Sequence, residues 1–145
     1  MSEFSTILLL ENDEHDVFFF KRALSSLRFD GQLRVVENVA QARHYIQGLG
    51  QFRDRQYYPL PDLVVSDMKM VGHTGLDFLQ WLLRHSAHPE IPVVMLSGSA
   101  TPSEHQAALA MGAKAFFRKT GNFVELKERI KRILEYLPEL HVHPS

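Results

Sequence analysis

Short apolar runs alternate along the chain with longer segments in which apolar residues recur at helical spacing. The strand-length runs are Ile7–Leu10, Leu33–Val36, Leu63–Ser66, Val93–Leu96 and Ala115–Phe117. Helical stripes are formed by Val17, Phe20, Leu24 and Leu27 after the first run, and by Phe123, Leu126, Ile130, Ile133 and Leu137 after the last. A crossover helix returns the chain to the start of each parallel strand, so the alternation predicts one α/β domain with helices on both faces of a parallel sheet.

Polar residues mark where the helices begin and end. Pairs at capping-box spacing are Asn38 with Gln41, Thr74 with Asp77, Thr101 with Glu104 and Asn122 with Glu125. Pro102 suits a first helical turn, and Gly112 predicts the end of that helix. Residues 50–61 lack periodicity and contain Pro59 and Pro61, which predicts an extended loop.

Composition excludes several classes of protein. The 145 residues suit a single domain, 1–145, and the net charge of −1 disfavours a nucleic-acid partner. Cysteine is absent, which excludes disulfides and thiolate metal sites. The first residues, MSEFSTILLLEND, resemble neither a signal peptide nor a membrane span. We therefore expect a cytoplasmic protein without membrane contact, and a flexible tail over residues 138–145.

Polar residues follow four of the five predicted strands. They are Glu11-Asn12-Asp13-Glu14, then Asp67, then Ser97-Gly98-Ser99, and finally Arg118-Lys119-Thr120. Open parallel sheets bind ligands beyond the carboxyl ends of their strands, so these groups are predicted to share one rim. Each group alone could be a turn, a helix entry or a solvated charge.

Four segments occur in an order that points to a known family. ILLLENDEHD, PDLVVSDMKMVGHTGLDFL, IPVVMLSGSA and GAKAFFRKT together resemble the receiver domain of two-component response regulators, over essentially the whole chain. The long loop before Asp67 and the stretch HDVFFFKRAL most resemble single-domain regulators associated with bacteriophytochromes. The resemblance implies a flavodoxin-like, doubly wound fold with a five-stranded parallel sheet.

The resemblance also implies roles for individual residues. Asp67 would accept a phosphoryl group, Ser97 would be the switch hydroxyl and Lys119 would pair with a phosphate oxygen. Phe116 occupies the position of the switch aromatic, although it could simply be core. Mg2+ would be held by Glu11, Asn12, Asp67 and the backbone carbonyl of Lys69. The implied partners are a histidine kinase, such as a phytochrome-type photoreceptor kinase, and an unknown output protein, with a homodimer left open.

This chain departs from the family pattern at three positions. Asn12 stands where a second acid is usual, which should weaken metal binding, and Asp13 could replace it only with a shift at the strand end. Val71 and Thr120 stand where proline is common. A cis bond before a non-proline residue costs about 2.5 to 4 kcal/mol, so a trans Lys119-Thr120 bond is expected.

Two other functions compete with phosphorylation. Asn12 favours a receiver-like interaction module that works without phosphate. A flavin-binding domain of the same topology is disfavoured, because ENDEHD is acidic where a phosphate-binding loop would be needed. Glu14 and Asp16 are expected to be solvated, the eight histidines are expected to be surface residues, and Trp81 is expected to pack over the sheet with Leu79, Leu82 and Leu83.

Overall fold

Five strands and five α-helices alternate in the computed structural model, which describes residues 4–70 and 74–138. The elements are β1 (Thr6–Leu10), α1 (Glu14–Ser26), β2 (Gln32–Val36), α2 (Val39–Gln47), β3 (Leu63–Ser66), α3 (Gly75–His85), β4 (Val93–Ser97), α4 (Pro102–Met111), β5 (Ala115–Arg118) and α5 (Phe123–Leu134). All five predicted strands are confirmed, with ends that differ by at most one residue. Val71 and residues 139–145 lie outside the described ranges, so the expectations for them are untested.

The sheet is parallel throughout and has the order β2-β1-β3-β4-β5. The chain runs outward from β1 to β2 and then crosses back to β3, so the direction of winding reverses between β1 and β3. Such a reversal opens a crevice at the carboxyl ends of the two strands. The predicted flavodoxin-like architecture is confirmed.

Two apolar clusters cover the two faces of the sheet. Alternate residues of β1 belong to different clusters: Leu8 and Leu10 pack beneath α2, α3 and α4, while Ile7 and Leu9 pack beneath α1 and α5. This is the two-residue period of a strand that is buried on both faces. Both predicted helical stripes lie in the second cluster, and Trp81 lies in the first.

Four of the five helices start at the predicted residues. Thr74 and Thr101 form complete capping boxes with Asp77 and Glu104. The other two predicted caps, Asn38 and Asn122, accept from the backbone N–H groups of Gln41 and Glu125. The Gln41 side chain accepts from the N–H of Glu37 rather than from that of Asn38. Gly112 ends α4 with a φ of 126°, a conformation that favours glycine.

The loop at residues 50–61 is more ordered than the sequence predicts. It begins with a 3-10 helix at Gly50–Phe52. The Arg55 guanidinium donates to the carbonyls of Tyr45 and Ile46, near the end of α2, at 2.8 and 2.7 Å. The Tyr45 hydroxyl donates to the Pro59 carbonyl at 2.8 Å. These bonds fasten the loop to the end of α2.

The described helices were compared with the length and hydropathy that a membrane span requires. Within residues 4–70 and 74–138, none of them is both long and apolar enough to cross a bilayer.

Candidate functional site

Ladder hydrogen bonds hold the strand ends at one edge of the sheet. The Asp67 N–H donates to the Leu10 carbonyl at 3.0 Å, which places Asp67 beside the end of β1. The Lys119 N–H donates to the Ser97 carbonyl at 2.9 Å, which joins the ends of β4 and β5. The residues predicted to share a rim therefore follow neighbouring strands.

Asp67 is a buried carboxylate fixed by its own loop. One oxygen, Oδ1, accepts from the Met68 N–H at 2.7 Å and more weakly from the Lys69 N–H at 3.5 Å. The other, Oδ2, lies 3.2 Å from Nζ of Lys119. Asp67 is thus anchored through one oxygen, while the second faces the cation.

The start of α3 presses closely against Asp67. A Cβ atom on Gly75 would lie 2.2 Å from the Asp67 carbonyl oxygen and 2.8 Å from Cε of Met95. The Gly75 N–H also donates to the Met68 carbonyl at 2.7 Å. The absence of a side chain at Gly75 allows the helix to approach this closely.

Glu11 is the most deeply buried acid of the site. Its side chain is 4% exposed, and Oε2 accepts from the Asp13 N–H at 3.1 Å. Burial raises the pKa of Glu11 above its ordinary value, and the hydrogen bond from Lys119 opposes that rise. Glu11 is therefore costly to keep charged without a neighbouring cation.

Lys119 is the centre of the cluster. Its ammonium lies 2.6 Å from Oε1 of Glu11, 2.7 Å from Oδ2 of Asp16 and 3.2 Å from Oδ2 of Asp67. Burial alone would lower the pKa of Lys119, but the hydrogen bonds with Asp16 and Glu11 outweigh burial and raise it. The lysine is firmly protonated at neutral pH.

Asp16 corrects the sequence analysis, which expected it to be solvated with Glu14. Its carboxylate instead contacts Lys119, 103 residues away in the chain. The sequence did indicate that Asp16 faces inward, because Phe20 follows four residues later on the same helix face and belongs to the buried stripe of α1. Asp16 therefore begins the face of α1 that turns inward.

Asp13 also has a role that the sequence analysis missed. It is the N-cap of α1, and its side chain accepts from the N–H groups of His15 and Asp16. The hydrogen bond from the Asp16 N–H lowers the pKa of Asp13 below its ordinary value. Since this carboxylate caps the helix, it is not positioned to replace Asn12, which is itself exposed.

Ser97 carries an unusual hydroxyl. The residue is fully buried, and among the described residues its Oγ has no hydrogen-bond partner. A buried polar atom without a partner costs about 1 to 3 kcal/mol. An orphan hydroxyl at a ligand-binding edge of the sheet is a candidate contact for a bound group.

The remaining predicted residues lie beside the site. Phe116 is half-buried, and the ring of His105 stacks on it at a centroid distance of 4.4 Å. His105 is therefore only partly exposed. The side chain of Lys69 reaches Glu104 in the first turn of α4 at 3.7 Å. The described residues contain no cis peptide bond, as expected for Lys119-Thr120.

The acids do not form a metal site by themselves. Across residues 4–70 and 74–138, no group of three or more His, Cys, Asp or Glu side chains is arranged to hold an ion. Glu11 and Asp67 nevertheless share Lys119 as a partner, so their oxygens lie near each other. Two carboxylates and a carbonyl can serve Mg2+, which usually keeps several waters.

Fold and site together define a doubly wound α/β domain with an acidic crevice and a lysine at its switch point. A family model described as the response regulator receiver domain matches residues 7–131. The chain belongs to that family, and the resemblance stated from the sequence is confirmed.

Several known proteins are similar to this chain. The phosphate regulon transcriptional regulatory protein PhoB of Escherichia coli is 29% identical over 102 residues, 70% of this chain but only 43% of PhoB. The chain thus spans less than half the length of that curated relative. The crystal structure of response regulator RPA3017 in red light signaling of R. palustris gives a TM-score of 0.86 at 23% identity, covering 98% and 99% of the two chains. The Mn2+-bound form of response regulator Rcp1 gives 0.80 at 21% identity, covering 92% and 99%.

Proposed function

We propose that this receiver domain accepts a phosphoryl group on Asp67 from a phosphohistidine of a histidine kinase and signals through protein contacts. The observation that carries the proposal is the pairing of buried Asp67 with Lys119, whose backbone N–H is bonded to Ser97, the residue with the orphan hydroxyl. Phosphoryl transfer requires a nucleophile in line and positive or hydrogen-bonding groups for the phosphoryl oxygens. These residues supply both.

The arrangement suggests how the transfer proceeds. Oδ1 of Asp67 is held by the Met68 N–H, which leaves Oδ2 to attack phosphorus. The new bond joins this oxygen to phosphorus, and the bond from phosphorus to the imidazole nitrogen of the donor breaks. Lys119 neutralises negative charge on the phosphoryl oxygens, and the hydroxyl of Ser97 donates to one of them. The product is an acyl phosphate.

Mg2+ fits the donor set at this edge of the sheet. Glu11, Asp67 and the Lys69 carbonyl would hold it, with the amide oxygen of Asn12 as a neutral fourth donor. Bound Mg2+ would supply positive charge against the phosphoryl oxygens. The similar Rcp1 has been crystallised with Mn2+, another hard cation that prefers oxygen ligands.

The signal would leave the site through α4 and β5. Lys69, two residues after Asp67, is paired with Glu104, which also closes the capping box of α4. A phosphoryl group that draws the hydroxyl of Ser97 toward it would shift the segment around Ala100 and the ring of Phe116. The receiving surface would be an output protein or a second copy of the chain.

A phosphorylation assay tests the proposal. Wild type, Asp67→Asn and the control Asp54→Asn are incubated with a small phosphodonor and Mg2+ and separated on a phosphate-affinity gel. Asp54 is exposed and lies in the loop before β3, so this control removes the same charge elsewhere. We expect a retarded band for wild type and Asp54→Asn only. Equal behaviour of wild type and Asp67→Asn would contradict the proposal.

A phytochrome-type photoreceptor kinase is the partner that the similarity favours. RPA3017, described as acting in red light signaling, matches almost the whole chain. Phosphotransfer from a labelled bacteriophytochrome kinase to wild type, with Asp67→Asn as control, tests this assignment. Labelling by an unrelated histidine kinase at an equal rate would argue against it.

The second candidate function is an interaction module that works without phosphate. Asn12 favours it, since one metal-binding charge is missing. Titration of Mg2+ by calorimetry distinguishes the two functions. Calorimetry is preferable to Trp81 fluorescence, because Trp81 packs between Phe78 and Arg43 in the α2–α3 region. Saturable binding at millimolar Mg2+ supports the phosphoacceptor, and its absence supports the module.

A further inference from the structure

The ammonium of Lys119 is fully occupied. A lysine has three N–H donors, and three carboxylates lie within hydrogen-bond distance of this one. The two shortest contacts, 2.6 and 2.7 Å, are made with Glu11 and Asp16 rather than with Asp67. Phosphorylation of Oδ2 of Asp67 replaces one of these three acceptors by a phosphoryl oxygen, while the two shorter contacts still hold the ammonium.

Asp16 is the partner that is easiest to release. Its side chain is 41% exposed, whereas those of Glu11 and Asp67 are 4% and 11% exposed. A released carboxylate must be hydrated, and a buried one has less access to water. A cavity of about 200 Å³ between α1 and α5 is lined by both Asp16 and Lys119, so water can reach this contact.

The position of Asp16 is set by its helix. Its backbone N–H donates to Oδ1 of the N-cap Asp13 at 3.0 Å. The stem of Lys119 lies against Gly98, where a Cβ would be 3.7 Å from Cβ and Cδ of the lysine. The first turn of α1 and the segment after β4 therefore hold the two partners in place.

Resting on the proposed function, we infer that Asp16 is a positioning residue that competes with the phosphoryl group on Asp67 for Lys119. In the unphosphorylated protein it holds the ammonium toward α1. After phosphorylation a phosphoryl oxygen takes the donor that faced Oδ2 of Asp67, and Asp16 is released to water as the ammonium moves toward the phosphoryl group. Asp16 thus weakens the hold of Lys119 on the phosphoryl group and favours the unphosphorylated state.

Binding of a phosphoryl mimic tests this competition. Trifluoroberyllate, formed from beryllium and fluoride with saturating Mg2+, is titrated into the full chain and followed by fluorine NMR. Partly exposed ion pairs contribute up to about 1 kcal/mol, so Asp16→Asn should tighten the apparent Kd about two- to fivefold. Asp16→Glu keeps the carboxylate and should bind about as wild type does.

Glu14→Gln is the matched control, because Glu14 is exposed and loses the same charge in the same helical turn. Its Kd should stay unchanged. A purely structural role for Asp16 would give weaker binding in Asp16→Asn, and a general field effect would tighten Asp16→Asn and Glu14→Gln equally. Either result, or no change in Asp16→Asn, overturns the inference.

The test separates the inference from the proposed function. Saturable binding by wild type with an unchanged Kd in Asp16→Asn refutes only the competition. A wild type that binds no trifluoroberyllate refutes the phosphoacceptor function and the competition together. Asp16→Ala serves as a second variant, and thermal unfolding checks that each variant is folded.

Discussion

Replacing Lys119 by methionine would leave an acidic cluster without its cation. Methionine preserves an unbranched apolar stem of similar length, so the change chiefly removes the ammonium. Glu11 and Asp67 are nearly buried, while Asp16 is partly exposed and can be solvated. The two buried acids therefore determine the effect.

The magnitude follows from these exposures. Removing one partner of a buried ion pair costs about 3 to 5 kcal/mol. Because the Lys119 side chain is 19% exposed, water can partly replace it, and we expect the lower end of that range, about 3 kcal/mol, at pH 7. Lys114→Met, at an exposed lysine before β5, is the control and should change stability by less than about 0.5 kcal/mol.

The loss should depend on pH with a definite sign. Burial already raises the pKa of Glu11 above 4.5, and removing Lys119 deletes the hydrogen bond that opposes the rise. A carboxyl group with a raised pKa binds more protons in the folded than in the unfolded state. The free energy of unfolding of Lys119→Met should therefore increase as pH falls through the raised pKa toward 4.5.

Urea unfolding at pH 7 and pH 5, followed by the fluorescence of the single Trp81, measures both effects. Adding Glu11→Gln to Lys119→Met should recover part of the stability at pH 7. The reasoning is refuted if Lys119→Met is as stable as Lys114→Met at pH 7, or if its deficit is the same at pH 5.

Three further predictions concern separate parts of the molecule. Burial raises the pKa of Tyr45 to about 12, so stability should fall as pH rises from 10 to 12, and Tyr45→Phe should make this fall smaller in alkaline urea titrations. The same change should cost about 1 kcal/mol at pH 7 through loss of the bond to Pro59. Gly75→Ala would force a Cβ against the Asp67 carbonyl, so it should destabilise the fold by about 2 kcal/mol or more in urea unfolding, and a smaller effect would contradict the close approach. Asn12→Asp adds a negative charge whose attraction to the doubly charged Mg2+ is about 2 kcal/mol at about 4 Å in water-like surroundings. Calorimetry should therefore show about 30-fold tighter Mg2+ binding, and an unchanged Kd would mean that position 12 is not a ligand.

Most of the fold could be read from the sequence because the signals are local. The strand runs, the two helical stripes and the capping pairs each depend on residues a few positions apart. Thr74 and Thr101 illustrate this, since each cap and its acid lie within one turn. The parallel sheet then follows from the alternation of strands and helices.

The contact between Asp16 and Lys119 could not be predicted from local sequence signals. Asp16 and Lys119 are 103 residues apart, and nothing local to either indicates that they meet. Position within α1 was the available signal, since Asp16 precedes Phe20 by one turn, but acids at helix starts are commonly solvated. The Arg55 contacts were missed for a related reason, because an arginine in an aperiodic segment carries no pattern.

Those Arg55 contacts change how the loop before β3 should be regarded. The guanidinium donates to two carbonyls in the last turn of α2. That of Tyr45 also accepts from the Gly48 N–H, so the helix end is completed partly by its own cap and partly by a side chain from outside the helix. Shortening this connection or inserting an epitope tag into it would reopen the end of α2 and release Tyr45 from its neighbours. Although the segment is aperiodic in sequence, it stabilises the end of α2. Engineered variants should therefore keep its length and Arg55.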